Sequence, residues 1–265
     1  MTQTWQPTSR GLLTVHHVAQ ASFNMRLAQD IAQRLASAIQ TRGSAVLSVS
    51  GGKSPVALFE VLRVIDIDWS RVRVTLVDER CVPCTHPDSN ARLVQTHLLQ
   101  DLAAQAQLVF MVASSSAPLE APPALAHTAG QALRAAGTAD VLVLGMGADG
   151  HTASLFPEAP HLADALDLHN TQTCVAMALK HPPANAPYAR ITQTLAQILS
   201  SRHIVLPLMG ADKLDTLQQA WSHATPALPI SFVLHQTQTP LSLWLTQQDT
   251  LAETCLLYTS DAADE

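Results

Sequence analysis

The stretch Ala139 to Pro157, A-D-V-L-V-L-G-M-G-A-D-G-H-T-A-S-L-F-P, constrains this chain more than any other. Val141, Leu142, Val143 and Leu144 form an uninterrupted apolar run with two β-branched members, the pattern of a strand covered on both faces of a parallel sheet. Gly145, Gly147 and Gly150 follow at once and allow the backbone to approach a ligand closely. Asp149 and His151 stand two residues apart in that loop, so an extended segment turns both side chains toward one pocket. There a carboxylate can orient an imidazole that titrates near neutrality, which is a general acid–base arrangement.

The same glycines spell G-x-G-x-x-G, the dinucleotide fingerprint, with Asp164 or Asp167 spaced to hold a ribose. A dinucleotide loop must open a helix, however, and Pro157 and Pro160 leave room for little more than one turn. A structural turn with an incidental histidine stays open from this stretch alone.

Taken in order, the chain alternates helical and strand patterns without an internal repeat. Phe23, Leu27, Ile31, Leu35 and Ile39 recur every four residues within Ser22 to Arg42, an amphipathic helix stopped by Gly43. A strand over Ala45 to Ser50 runs into S-G-G-K-S-P, where Pro55 suits a first helical position and the new helix N-terminus offers N–H groups to an anion. Gly52, Lys53 and Ser54 read G-K-S, yet a nucleotide P-loop needs a glycine where Leu47 stands. A serine-hydrolase elbow around Ser50 needs a glycine where Ser48 stands, although the order Ser50, Asp149, His151 would suit an esterase. Val72 to Val77 is a strand ending in D-E-R, Asp78 to Arg80; Asp88 or Ser89 caps a helix running to about Ala104. Ala113 to Pro123 reads as a loop, Ala124 to Ala136 as a helix, and Cys174 to Leu179 as a strand ending at Lys180. Ile204 to Leu208, a helix from about Ala211 to Trp221, and Leu241 to Leu245 complete the alternation.

This alternation predicts an α/β fold, and parallel strands would bring Gly51, Gly52, Lys53, Ser54, Asp78, Arg80, Asp149, His151 and Lys180 to one cleft at their carboxyl ends. Lysine usage favours that reading: among 15 cationic residues only three are lysines, and Lys53 and Lys180 both fall at strand ends.

A formal net charge of −6 with no basic run argues against nucleic acid or an anionic membrane surface as partner. No apolar run approaches the roughly 18 residues of a membrane span, and the polar start lacks a signal peptide's apolar region, so a cytoplasmic monomer is expected. Of four cysteines, Cys81 and Cys84 form C-V-P-C near His86 with no second pair at metal-ligand spacing, so a zinc site or redox dithiol is disfavoured against two reduced loop thiols.

S-G-G-K-S-P, V-D-E-R-x-V-P-x-x-H-P-D-S-N, D-G-H-T-A-S-L-F-P and the later R-I-T together resemble the 6-phosphogluconolactonase family over roughly residues 15 to 250. The related glucosamine-6-phosphate isomerases carry a sequence similar to D-G-H-I-A-F-N-E-P at the third motif. The resemblance implies a Rossmann-like, mainly parallel sheet with helices on both faces (NagB/RpiA/CoA-transferase-like) over residues 1–253. It implies hydrolysis of 6-phosphogluconolactone in the pentose phosphate pathway with no cofactor and no obligatory metal. It implies that His151 is the catalytic base with Asp149 its companion, and that Gly51, Gly52, Arg80, Lys180 and Arg190 bind phosphate and sugar. Cys81 stands where an aromatic is usual and Cys84 where proline is common, while residues 254–265 match nothing in the family and read as a disordered or non-native tail. Two alternatives remain. In an aldose–ketose isomerase Asp78 would move a proton on an open-chain sugar; a sugar-phosphate sensor domain would have no need of His151.

Overall fold

In the computed structural model, residues 5–117, 119–179, 187–210 and 213–247 are described. Strand β1 (Leu13–Ala19) leads into helix α1 (Phe23–Arg42), followed by β2 (Ala45–Val49), α2 (Val56–Leu62), β3 (Val72–Leu76), β4 (Asp78–Arg80) and α3 (Asn90–His97). Next come β5 (Gln107–Leu108), α4 (Pro122–Ala136), β6 (Val141–Val143), α5 (Leu162–Leu166), β7 (Cys174–Met177) and β8 (Arg190–Gln193). The described chain ends with α6 (Leu195–Leu199), β9 (Ile204–Leu208), α7 (Leu214–Ala220), α8 (Ile230–His235) and β10 (Leu241–Gln247).

Seven strands form one sheet in the order β1-β10-β9-β6-β2-β3-β5, and every pairing in it is parallel. From β2 the chain moves outward through β3 and β5, and from β6 it moves the other way through β9 and β10. The sheet therefore reverses direction between β2 and β6. In open α/β sheets that reversal leaves a crevice beyond the carboxyl ends of the two central strands, here at Ser50 and at Leu144.

Alternate side chains separate the two faces. Leu47, Val49, Val141 and Val143 join the cluster under α1, α2 and α4, whereas Val46, Leu142 and Leu144 join the one under α5 to α8. Helix α1 buries Phe23, Leu27, Ile31, Leu35 and Ile39, each contributing roughly 1.5–3 kcal/mol of transfer free energy as an upper estimate. Gly43 ends it in a left-handed turn at φ 79°, its N–H donating to Ile39 O at 2.9 Å.

Three expectations are corrected. The strand expected over Cys174 to Leu179 is β7, which leaves the parallel sheet and joins β4 and β8 in an antiparallel sheet of order β4-β8-β7. Asp78 to Arg80 belongs to that second sheet as well: after Val77 N–H donates to Val49 O at 2.9 Å, the chain turns away from β2 to pair with β8. The helix expected to reach Ala104 stops at His97: the chain is extended at Gln100, with φ −128° and ψ 171°, and a short 3₁₀ turn, Asp101–Gln105, follows. Ser89 does cap α3, its Oγ accepting from Arg92 N–H at 3.3 Å. Strand β1 was missed because, as an edge strand paired among the described residues only with β10, it reads L-T-V-H-H-V-A rather than as an apolar run.

Candidate functional site

A cleft of about 530 Å³ opens at the sheet reversal. Its wall is supplied by the turn after β2 (Ser50, Gly51, Gly52, Ser54), by β4 (Asp78, Arg80), by the loop after β6 (Gly145, Met146, Gly147, His151, Ser154), and by Arg190 and Lys213.

The loop after β6 folds back on itself. Gly147 N–H donates to His151 O at 2.9 Å, Gly150 N–H donates to Gly147 O at 3.1 Å, and Thr152 Oγ1 donates to Gly145 O at 2.8 Å. Two further bonds fasten it to the helices that follow: Thr216 Oγ1 donates to Ala148 O at 2.8 Å, and Ile230 N–H donates to Gly150 O at 2.9 Å. Gly150 sits at φ 76°, where a Cβ would also meet Leu228. Gly147 is required for a different reason: a Cβ there would lie 2.2 Å from His151 Cε1 and Nδ1.

The result is a tight histidine–aspartate pair. His151 Nδ1 lies 2.5 Å from Asp149 Oδ1, and the same oxygen accepts the His151 backbone N–H at 3.2 Å. A carboxylate only accepts, so Nδ1 carries the proton and the lone pair of a neutral imidazole falls on Nε2. Burial by itself would raise the Asp149 carboxyl, but the hydrogen bond and charge of His151 outweigh it and hold the group below the usual aspartate value. Phe156 lies against the imidazole with ring centroids 4.3 Å apart.

The second sheet supplies the cations. Arg80 and Arg190 are direct partners in the antiparallel β4–β8 register, and both line the cleft. Arg190 is 5% exposed; burial first, and the charge of Arg80 next, push its guanidinium below the ordinary arginine value. Like charges directly opposite one another repel, so this arrangement favours an anion between or above them. Arg80 is steadied by donating from Nη1 to Asp88 O at 2.6 Å. Behind it the buried Glu79 carboxylate accepts from Arg80 N–H, Ser89 Oγ, Asn90 N–H and Ala91 N–H, at 2.7 to 3.0 Å.

Asn90 ties two walls of the cleft together. Its Nδ2 donates to Asp78 O at 2.8 Å, while its Oδ1 lies where a Cβ on Gly51 would be, 1.9 Å from that position. Asp78, 8% exposed, accepts from Ser154 Oγ at 2.5 Å through Oδ2.

Most of the residues expected from sequence thus gather here: Gly51, Gly52, Ser54, Asp78, Arg80, His151 and Arg190 line the cleft, and Asp149 reaches it through His151. Lys53 does not; its side chain is exposed and is absent from the lining. Lys180 lies outside the described residues. Among the described residues the lysine that lines the cleft is the third one, Lys213, just ahead of α7. It was missed because G-A-D-K carries no distinctive motif, although its place one turn beyond the apolar end of β9 could have flagged it. Cys81 is no reactive dithiol partner: burial, then the charge of Glu79, push its thiol up to about 11.

These features bring two guanidiniums, a lysine and a histidine–aspartate pair to one cleft on a doubly wound sheet. The family model described as glucosamine-6-phosphate isomerases/6-phosphogluconolactonase matches residues 19–243, and the chain belongs to that family. A 6-phosphogluconolactonase from Pseudomonas putida is 40% identical over 232 residues, covering 87% of this chain and 91% of that protein. The crystal structure of a 6-phosphogluconolactonase from Shewanella baltica OS155 superposes with a TM-score of 0.80 at 38% identity, covering 90% of this chain and 98% of that one. That of a putative 6-phosphogluconolactonase from Neisseria gonorrhoeae FA 1090 gives 0.79 at 37% identity, covering 90% and 100%.

Proposed function

We propose that this chain hydrolyses 6-phospho-D-glucono-1,5-lactone to 6-phospho-D-gluconate, the lactone-opening step of the pentose phosphate pathway, with His151 as general base. The observation that carries the reading is that the His151–Asp149 pair and the paired guanidiniums of Arg80 and Arg190 share one cleft. Relatives named 6-phosphogluconolactonase at about 40% identity over most of the chain support it.

His151 Nε2 takes a proton from water as the water oxygen bonds to lactone C1, and the carbonyl π electrons move onto oxygen. When the tetrahedral species collapses, the bond from C1 to the ring oxygen breaks, and the imidazolium returns its proton to that oxygen as it becomes the 5-hydroxyl. The new carboxylic acid releases its own proton to solvent, which balances the step. Asp149 accepts from Nδ1 throughout, fixing the tautomer and stabilising the transient imidazolium. The 6-phosphate is held by Arg80, Arg190 and Lys213, each charge-assisted contact contributing about 1.5–3 kcal/mol, and this remote binding orients C1 toward the water. The substrate is a phosphorylated sugar lactone, and the protein acts as a cytoplasmic monomer.

The test is hydrolysis of freshly generated 6-phosphogluconolactone, followed by NMR and corrected for spontaneous opening. His151→Ala should lower kcat by roughly 10²–10⁴-fold with KM nearly unchanged. A variant that keeps wild-type turnover from about pH 6 to 8 would refute the assignment.

A further inference from the structure

The hydrolysis above leaves one buried carboxylate in the cleft without a proton to move. Asp78 lines the cleft at 8% exposure, among groups suited to a sugar phosphate. A carboxylate in that position is chemically hazardous: it can remove a proton from the carbon next to a sugar carbonyl, the opening step of aldose–ketose isomerisation. The family to which the chain belongs contains isomerases as well as a lactonase, so some feature of the site must decide between the two reactions.

Ser154 is placed to decide it. Its Oγ donates to Asp78 Oδ2 at 2.5 Å, and the serine is itself 1% exposed. Its backbone N–H donates to Thr192 Oγ1 at 3.2 Å, and Thr192 is the residue directly opposite Asp78 in the β4–β8 ladder. The other side of Asp78 is fixed as well, because its carbonyl accepts from Asn90 Nδ2 at 2.8 Å. The Ser154 backbone is therefore anchored to the second sheet, with its buried hydroxyl set against Asp78. A carboxylate oxygen that already accepts a short O–H···O bond is held in one orientation, with that lone pair occupied.

We propose that Ser154 is a positioning residue that selects the reaction: by occupying Asp78 Oδ2 it makes that carboxylate a fixed acceptor for a sugar hydroxyl and leaves proton transfer to His151. The proposal rests on the reading of His151 as the base. Without the Ser154 hydroxyl, Asp78 regains a lone pair and freedom to rotate. It then takes the α-proton of an open-chain sugar phosphate while the C–H electron pair moves into an enediolate, and returns a solvent-derived proton to the same carbon.

The experiment uses the full chain and two reactions. Glucose 6-phosphate is incubated in D₂O with wild type, Ser154→Thr, Ser154→Ala, Ser154→Cys and the Ser154→Ala/Asp78→Asn double variant, and deuterium at carbon 2 is read by NMR. Wild type and Ser154→Thr, which keeps the hydroxyl, should stay at the enzyme-free blank. Ser154→Ala should incorporate deuterium, as should Ser154→Cys, which nearly preserves volume but donates only weakly; the double variant should return to the blank. In the lactone assay Ser154→Ala should raise KM about tenfold with kcat within about threefold of wild type, because a binding contact and not the base is disturbed. Ser154→Ala and Ser154→Cys proteins that hydrolyse lactone yet stay at the blank would overturn the proposal. Exchange that survives in the double variant would overturn it too, since Asp78 would not be the base. Failure of the underlying reading would show separately, as wild-type hydrolysis by His151→Ala.

Discussion

Replacing Gly147 by alanine perturbs His151 by a distance that follows from the structure. Gly147 does not have a left-handed φ, so alanine fits its backbone and the change is steric alone. Its Cβ would lie 2.2 Å from His151 Cε1 and Nδ1 and 2.5 Å from Asp149 Oδ1, against an ordinary van der Waals contact of 3.4 to 4 Å. The imidazole must therefore retreat by more than an ångström, or the loop must open. The second route costs the Gly147 N–H bond to His151 O and loosens the anchors to Thr216 and Ile230. Displacement of a catalytic group by about 1 Å costs on the order of 10² in rate, or roughly 2.7 kcal/mol in the barrier. Gly147→Ala is thus expected to lower kcat about 100-fold with KM within a few-fold, because Arg80, Arg190 and Lys213 stand on other elements. Steady-state hydrolysis of fresh lactone beside a thermal melt would measure this. A folded Gly147→Ala protein with kcat within threefold of wild type would show that the position of His151 does not limit the reaction.

Arg190→Gln and Lys213→Ala should each raise KM for the phosphorylated lactone about 10- to 100-fold while leaving kcat within a few-fold, and both should lose less on the unphosphorylated lactone; equal losses on the two substrates would remove these residues from phosphate binding. Burial, and next the charge of Arg34, push His203 down from 6.5 to about 4, so between those values the unfolded chain binds more protons than the native one and stability falls as pH falls. Because His203 is partly exposed, the loss is about 1–2 kcal/mol after solvent screening, and the fall in Tm from pH 7 to pH 5 should shrink in His203→Gln; an unchanged fall would assign the acid sensitivity elsewhere.

The parallel sheet was legible because its central strands are covered on both faces. Ala45–Val49, Val72–Leu76 and Ile204–Leu208 lie within or coincide with strands read from sequence, and Pro157 and Pro160 argued against a dinucleotide helix after β6, where the next helix begins only at Leu162. What escaped was pairing that propensity does not encode. Nothing in D-E-R or R-I-T says that Asp78–Arg80 leaves its parallel neighbour to meet Arg190–Gln193 antiparallel, since both segments are too short and too polar to show a period. The same limit explains Cys174–Met177, whose apolar run fits either sheet.

The site divides along that boundary, and the division has a mechanistic consequence. His151 and Asp149 sit on a loop of the parallel sheet, where two residues of spacing and three glycines made them readable. Arg80 and Arg190 sit on the antiparallel sheet, where their juxtaposition is a register that no local pattern announces. Ser154 is the covalent continuation of the first and the hydrogen-bonded partner of the second, through Asp78 Oδ2 and Thr192 Oγ1. The two guanidiniums on one sheet are thereby held in fixed geometry with the histidine–aspartate pair on the other. Loss of the backbone anchor from Ser154 N–H to Thr192 Oγ1, as in Thr192→Val, should lower kcat even with every cation and the histidine in place, whereas loss of the Ser154 hydroxyl alone leaves that anchor and kcat nearly unchanged.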